Sequence, residues 1–336
     1  MRFITYSLRR LLYLMPQLLG ISIVTFVLIR LLPGNPANIM AGGFATAETI
    51  KSIEQKLGLD QPMYVQYFMY ISRIFKGDFG DSWYTGQTVW ADLLDRVPAT
   101  LELLTLALFI AFVIGVPLGV YAAFRKGGFA DRIVRSYAMM AGSLPDFWVS
   151  LIFIFFFYYL FSWVPAPMGR IDISLLTPER VTSFLLIDSV IAGDWQVFKS
   201  YVQHLILPVL TLAFVNMGAI VKMTQSTIDD LIESGFIRHA NALGLKPSIT
   251  RRIALKNALP PIITIVAVLF NFLFSGAVLV ETIFGWGGIG QYAVQSIVNS
   301  DYAPIQAFVL VATVFSLFIY LVVDLIYFMI DPRIKT

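Results

Sequence analysis

The stretch that decides the fold runs from Asp229 to Pro261, DDLIESGFIRHANALGLKPSITRRIALKNALPP. It is polar and lies between two long apolar runs. Arg238, Lys246, Arg251, Arg252 and Lys256 face Asp229, Asp230 and Glu233 in a short space. Gly244-Leu245 followed by Lys246-Pro247 is a helix stop, since glycine accepts a left-handed cap and proline cannot continue the helix behind it. We therefore expect a short helix over Glu233–Leu243, lying outside the membrane, and a second, basic helix leading into the next apolar run. A short helix held between two membrane spans is a place where a partner protein can push. The plainer reading is a positively charged cytoplasmic loop that does only topological work.

Working outward, the rest of the chain is apolar. Charged residues make up 13% of it and hydrophobic ones 58%, and mean hydropathy is +0.77. Soluble domains carry roughly 25% charge, so the composition reads as an all-α polytopic membrane protein. There is no cysteine, which excludes disulfides and thiolate metal sites. His204 and His239 are the two histidines and do not suggest a metal site. A net charge of +3 gives no reason to expect nucleic acid. Arg2, Arg9 and Arg10 precede the first apolar run as in a signal peptide, but the run continues to Leu32 without a small-x-small cleavage site. It reads as a retained span.

Six spans are expected: 11–32, 98–124, 134–160, 204–223, 261–283 and 305–330. Pro33-Gly34-Asn35-Pro36 closes the first. Residues 33–97 then form a long polar segment, with soluble helices expected over Ala47–Leu57 and Met63–Phe75, broken by Gly58 and Pro62. Trp83, Tyr84 and Trp90 suit a membrane interface. A second polar segment covers 162–203, and 285–304 is glycine-rich and re-entrant or interfacial in character. By domain, 1–32 is the N-terminus and first span, 33–97 an extracytoplasmic scaffold, 98–330 a five-span core with a cytoplasmic loop at 229–257, and 331–336 a tail. Lys and Arg concentrate in the N-terminus, in Arg125, Lys126, Arg132 and Arg135, and in the quoted stretch. The positive-inside rule puts these, and both termini, in the cytoplasm.

Glu102, Asp146, Glu281 and Asp324 fall in or near apolar spans, where an acid at a helix centre costs about 2.5–3.5 kcal/mol on insertion scales. Such groups face a bundle interior or a wet cavity. Asp146, behind the helix-breaking Pro145 in mid-span, is the leading candidate for a translocation pathway. Glu102 and Glu281 lie near span ends, where a structural hydrogen bond competes with that role. No phosphate-binding G-x-x-x-x-G-K-[ST] loop, H-E-x-x-H or G-x-S-x-G motif occurs. An intramembrane hydrolase built on Ser143 or Ser150 with His204 has no support in spacing. A self-sufficient secondary transporter, with its own coupling acids in the spans, stays open on these grounds.

Several motifs together add a resemblance. Arg238-x-Ala240-x-Ala242-x-Gly244-Leu245 and Asn257-Ala258-Leu259-Pro260-Pro261 resemble the EAA-type loop of binding-protein-dependent ABC importer permeases. Gly276-Ala277, Val280-Glu281-Thr282-Ile283-Phe284-x-Trp286-x-Gly288-Ile289-Gly290, Asp301-Tyr302 and Asp331-Pro332-Arg333 continue the likeness. Leu8-Arg9-Arg10, Pro33–Pro36, Leu57-Gly58-Leu59-Asp60-x-Pro62, Gly77-Asp78-Phe79-Gly80, Pro98-Ala99-Thr100-Leu101-Glu102, Ser143-Leu144-Pro145-x-Phe147-Trp148 and Gly169-Arg170 extend it through the N-terminal half. The branch is the dipeptide/oligopeptide/nickel permeases, and within it the first of two permease subunits. The chain departs from the pattern at Arg238-His239-Ala240, which replaces the Glu-Ala-Ala triplet, at Leu243, where a basic residue is usual, and at Gly287, where proline is common.

The resemblance implies a type I ABC importer permease fold with a helical insertion after the first span, in a bacterial cytoplasmic (inner) membrane. It implies a second homologous permease, two cytoplasmic ATPases carrying ATP and magnesium, an extracytoplasmic solute-binding protein, surrounding lipid, and no cofactor on this chain. The cargo it suggests is a peptide, with a nickel chelate, opine or other small peptide-like solute as the alternative. Glu233, Gly235, Arg238, Ala240, Ala242, Gly244 and Leu245 would form the ATPase-coupling element. Pro145, Asp146, Glu281 and Glu102 remain the pathway candidates.

Overall fold

The computed structural model describes residues 2–31, 37, 41 and 45–330. The Pro33–Pro36 element and the 331–336 tail lie outside the described residues. The described residues form no β-strand; one isolated bridge joins Asp81 and Thr88. Helices α1 Arg2–Leu31, α2 Ala47–Leu57, α3 Met63–Phe75, α4 Val89–Ala123 and α5 Phe129–Ala141 come first. They are followed by α6 Asp146–Phe153, which widens into a π-helical stretch Ile154–Leu160, α7 Leu185–Ile191 and α8 Trp195–Ile232. The last are α9 Gly235–Ala242, α10 Pro247–Gly276, α11 Val278–Ile283, α12 Ile289–Val298 and α13 Tyr302–Ile330.

Val89–Ala123, Trp195–Ile232, Pro247–Phe274 and Tyr302–Ile326 are long and apolar enough to cross a membrane. Phe129–Ala141 and Asp146–Leu160 pass the same test as a pair, bent by 107°. Met15–Leu31 is a shorter apolar helix. The protein is thus an all-α polytopic membrane protein, and three expected spans take a different form. The span expected at 134–160 starts at Phe129 and turns sharply at Gly142–Pro145, because the residue before a proline is pushed out of helical geometry. The span expected at 204–223 is the middle of a much longer helix capped by Asp194, whose side chain accepts from Val197 N. The span expected at 261–283 is continuous with the basic helix before it, through Pro260 and Pro261, and ends at Gly276. Membrane helices tolerate such prolines where other groups satisfy the freed backbone.

The chain divides into two compact units, residues 1–99 with 287–318, and residues 100–286 with 319–336. In the first unit α2 has the ends its sequence announces. Thr46 caps it through Thr49 N, and Gly58 closes it at φ +66°. Phe26 on α1 packs edge-on to Tyr67 of α3 at 5.5 Å, and the Ser22 hydroxyl pairs with Tyr67 OH at 2.8 Å. Asp92 accepts from Thr85 Oγ1 and from Tyr292 OH, both at 2.7 Å, and Arg96 lies over the Tyr292 ring at 4.5 Å. A cavity of about 400 Å³ opens among Arg30, Tyr70, Arg73, Asp78, Trp83 and Asp301.

The core of the second unit lies between the later part of α4, α8 and α10. Ala111, Val116, Ala123, Ala213, Ile220, Ile228, Ala258 and Ile262 are buried together there. Small residues let these helices approach closely, the usual device where lipid supplies no hydrophobic drive between helices. The segment 162–194 is fastened to the same unit. Gly169 N donates to Phe284 O at 3.0 Å, and Asp172 N to Ser200 Oγ at 2.9 Å. Asp188 accepts from Thr182 N, Thr182 Oγ1 and Ser183 N at 2.7–3.0 Å.

Candidate coupling and translocation site

Helix α8 ends where Glu233 N donates to Asp229 O and Ser234 N to Leu231 O. The chain then turns directly into α9, Gly235–Ala242, shorter at both ends than the helix expected over Glu233–Leu243. Glu233 caps α8 instead of starting α9. Ile237 and Ala240, spaced i and i+3, are buried and set the inner face of α9. Phe236 (46% exposed), Arg238, His239, Ala242 and Leu243 (67% exposed) stay open. Leu245 N reaches back to Ala240 O at 3.3 Å, and Gly244 between them has φ +72°. Pro247 then opens α10 at its first position, where its missing N–H costs nothing.

Glu233 at the end of α8, Gly235, Arg238 and Ala242 on α9, and Gly244 and Leu245 just after it are thus exposed in one short stretch of chain. Ala240 does not. It belongs to the face that packs on this chain, and the i, i+3 spacing with Ile237 was the signal in the sequence.

Of the pathway candidates, Pro145 precedes α6 in extended geometry and Asp146 begins the helix just past the 107° bend. Asp146 Oδ1 is buried with no hydrogen-bond partner among the described residues. Glu102 accepts from Tyr201 OH at 2.5 Å and Leu186 N at 2.9 Å. Glu281, 1% exposed, accepts from Thr100 Oγ1 at 2.5 Å. These two carboxylates tie α4 to α8, α7 and α11.

A cluster near the end of α8 had no part in the sequence reading. Asp131 on α5 accepts from Gly127 N, Arg135 Nε and Gln225 Nε2 at 2.9, 2.8 and 2.6 Å. Arg135 Nη2 also lies 3.5 Å from Asp229 Oδ2. Lys126 and Glu233 form an exposed pair at 3.2 Å, of a kind that contributes little alone. The i, i+4 spacing of Asp131 and Arg135 was the one local sign of this cluster. Among the described residues no group of three or more His, Cys, Asp or Glu side chains is placed to hold a metal ion.

Residues 115–336 match the family described as the binding-protein-dependent transport system inner membrane component, and residues 1–104 match the N-terminal region of such membrane components. The chain belongs to this family. The permease is 42% identical over 316 residues to the probable D,D-dipeptide transport system permease protein DdpB of Escherichia coli K12, covering 94% of this chain and 93% of that one. It is 37% identical over 333 residues to the dipeptide transport system permease protein DppB of Alkalihalophilus pseudofirmus, covering 99% of both. Its fold resembles a chain of the inward-facing methionine ABC transporter MetNI, with a TM-score of 0.54 at 18% identity, over 71% of this chain and 96% of that one. The permease is an inner-membrane transport subunit and not an enzyme. It works with a binding protein and with other transporter subunits, on which ATP is hydrolysed.

Proposed function

We propose that the permease carries di- or oligopeptides inward after their release from an extracytoplasmic binding protein. The observation that carries this reading is the near full-length likeness to relatives named for dipeptide transport. Asp146 supports it: a carboxylate oxygen without a partner, in the first turn of α6 behind a broken span, suits the ammonium group of a peptide. A nickel chelate or opine stays as the alternative cargo.

In this reading a second, homologous permease completes the pore and two ATPase subunits lie on the cytoplasmic side. Both termini and α9 face the cytoplasm, and segments 33–97 and 162–203 face the binding protein. The open side of α9, with Phe236, Arg238 and Leu243, sits in a groove on an ATPase. Closure of the ATPase pair then moves α9, and through it α8 and α10, in a rigid-body switch between two states.

The test is a mild-detergent pull-down of the permease, followed by ATPase assay with purified binding protein and candidate peptides. Recovery of a second permease and ATPases, with hydrolysis stimulated by peptide-loaded binding protein, is the expected result. Recovery of a folded chain alone, transporting without ATP, would overturn the importer reading. Stimulation by a nickel chelate or opine and not by peptides would overturn the cargo.

A further inference from the structure

Asp131 is 3% exposed, on an otherwise apolar helix face. Both its oxygens are engaged, one by the loop before α5 through Gly127 N, the other by Arg135 on α5 itself and by Gln225 on α8. Gln225 is itself buried, and Arg135 reaches on to Asp229, one turn further along α8. At its other end α5 is held to the same helix. Tyr137 OH donates to Phe214 O at 2.5 Å, and a Cβ on Gly218 would lie 3.0 Å from Ala141 Cβ and 3.1 Å from Ala138 O. Helix α5 is therefore fixed to α8 at both ends, from Phe214 to Asp229.

Apolar packing already joins the two helices, through Val134 and Ala138 against Val221. Adhesion alone does not call for a buried carboxylate, since replacing buried ionic groups by apolar ones of similar volume is often neutral or stabilising. What the hub adds is register: Gly127 and Arg135 fix the carboxylate on α5, and the two links that cross to α8, Gln225 to Asp131 and Arg135 to Asp229, are satisfied together at one sliding position and rotation. The hub sits about 15 Å along α8 from the start of α9, given ten residues at the helical rise. Helix α5 in turn ends at the bend that leads to Pro145 and Asp146.

We propose that Asp131 is a positioning residue of the transport cycle. It locks α5 to α8 next to α9, so that the two helices move as one lever and a displacement of α9 arrives at the Pro145-Asp146 bend. This rests on the reading of α9 as the coupling element. Without the lock, α8 would slip against α5 and the bend would no longer follow the ATPases.

The assay uses the assembled complex in liposomes with its binding protein, and reads solute uptake and ATP hydrolysis together. Asp131→Asn and Asp131→Ala are expected to keep hydrolysis stimulated by loaded binding protein, while uptake per ATP falls about tenfold, within the range of measured coupling energies. Unchanged uptake per ATP would overturn the proposal. So would a parallel fall of both rates at constant ratio, which is what lost stability alone produces. The chain has no cysteine, so Asp131→Cys and Gln225→Cys are its two thiols, and a short bis-methanethiosulfonate reagent can join them, a sulfinate leaving as each disulfide forms. Restored uptake per ATP on crosslinking supports the lever, and a ratio unmoved by crosslinking overturns it. Gly244→Val in the same assay separates the two readings. If it leaves uptake per ATP intact, the role of α9 fails; if it lowers the ratio while Asp131→Asn does not, only the lever fails.

Discussion

The Ser82 hydroxyl lies 2.6 Å from Asp301 Oδ2, joining residues 219 apart in the chain. The same oxygen accepts from Tyr84 N at 3.2 Å, and Asp301 is 2% exposed. The aromatic loop 77–88 is thereby fixed to the start of α13. Ser82→Ala takes one donor from a buried carboxylate, which costs about 1–3 kcal/mol. The expected outcome is a lower unfolding temperature and faster proteolysis within 77–88. An unchanged cleavage rate would show that the loop is held by other contacts.

Asp301 also gives a pH dependence. Burial pushes its carboxyl up, against the hydrogen bonds from Ser82 and Tyr84, which pull it down. An acid raised in the fold contributes stability that is fully present below its unfolded value of about 3.9 and is lost as pH rises through the folded value. Asp301→Asn does not titrate. Its unfolding temperature should gain on that of the parent as pH rises from about 4. A difference that stays flat over that window would sink the assignment.

Gly119 is a packing requirement that Gly20 is not. A Cβ at Gly119 would meet Thr224 Cβ at 2.7 Å and the backbone oxygen of Val221 at 2.9 Å, whereas at Gly20 it would meet nothing within 4 Å. Gly119→Ala forces α4 from α8 and should cost about 1–3 kcal/mol. Gly20→Ala should be neutral or gain up to about 1 kcal/mol, because glycine within a helix is the weaker former. Thermal unfolding of the two variants side by side decides the matter; equal shifts would contradict the close approach.

The contrast between these helices shows what a sequence can disclose. The ends of α2 and α3 are legible because their causes are local: Thr46 caps, Gly58 adopts a left-handed conformation, and Pro62 precedes Met63. Gly244 is legible for the same reason. The full length of α8 is not, since its polar ends are helical through capping and packing and not through apolar pattern. The Asp131–Gln225 bond spans 94 residues and Glu102–Tyr201 spans 99. Such bonds leave no period in either helix, so Glu102 was visible as costly but its partner was not, and Asp131 and Gln225 were both missed.

Glu102 illustrates the consequence. Its carboxylate satisfies Tyr201 OH and Leu186 N, so Glu102→Ala strands one buried and one part-buried donor and should cost about 1–3 kcal/mol. Glu102→Gln keeps an acceptor oxygen and should cost less. Uptake should fall only in step with stability in both variants. Loss of uptake in Glu102→Gln at an unchanged unfolding temperature would instead mean that the acid touches the solute.

At Gly244 the constraint is the backbone and not the space. Its φ of +72° lies in the left-handed region, yet a Cβ there would find no atom of this chain within 4 Å. A non-glycine residue pays roughly 1–2 kcal/mol in that region, asparagine least and β-branched residues most. Gly244→Asn should therefore retain most uptake, Gly244→Ala less, and Gly244→Val little, with membrane insertion intact in all three. The order Asn, Ala, Val does not follow side-chain volume, in which alanine is the smallest. If uptake in the reconstituted complex follows volume instead, with alanine best, then Gly244 is a contact surface for the partner and not the turn that aims α9.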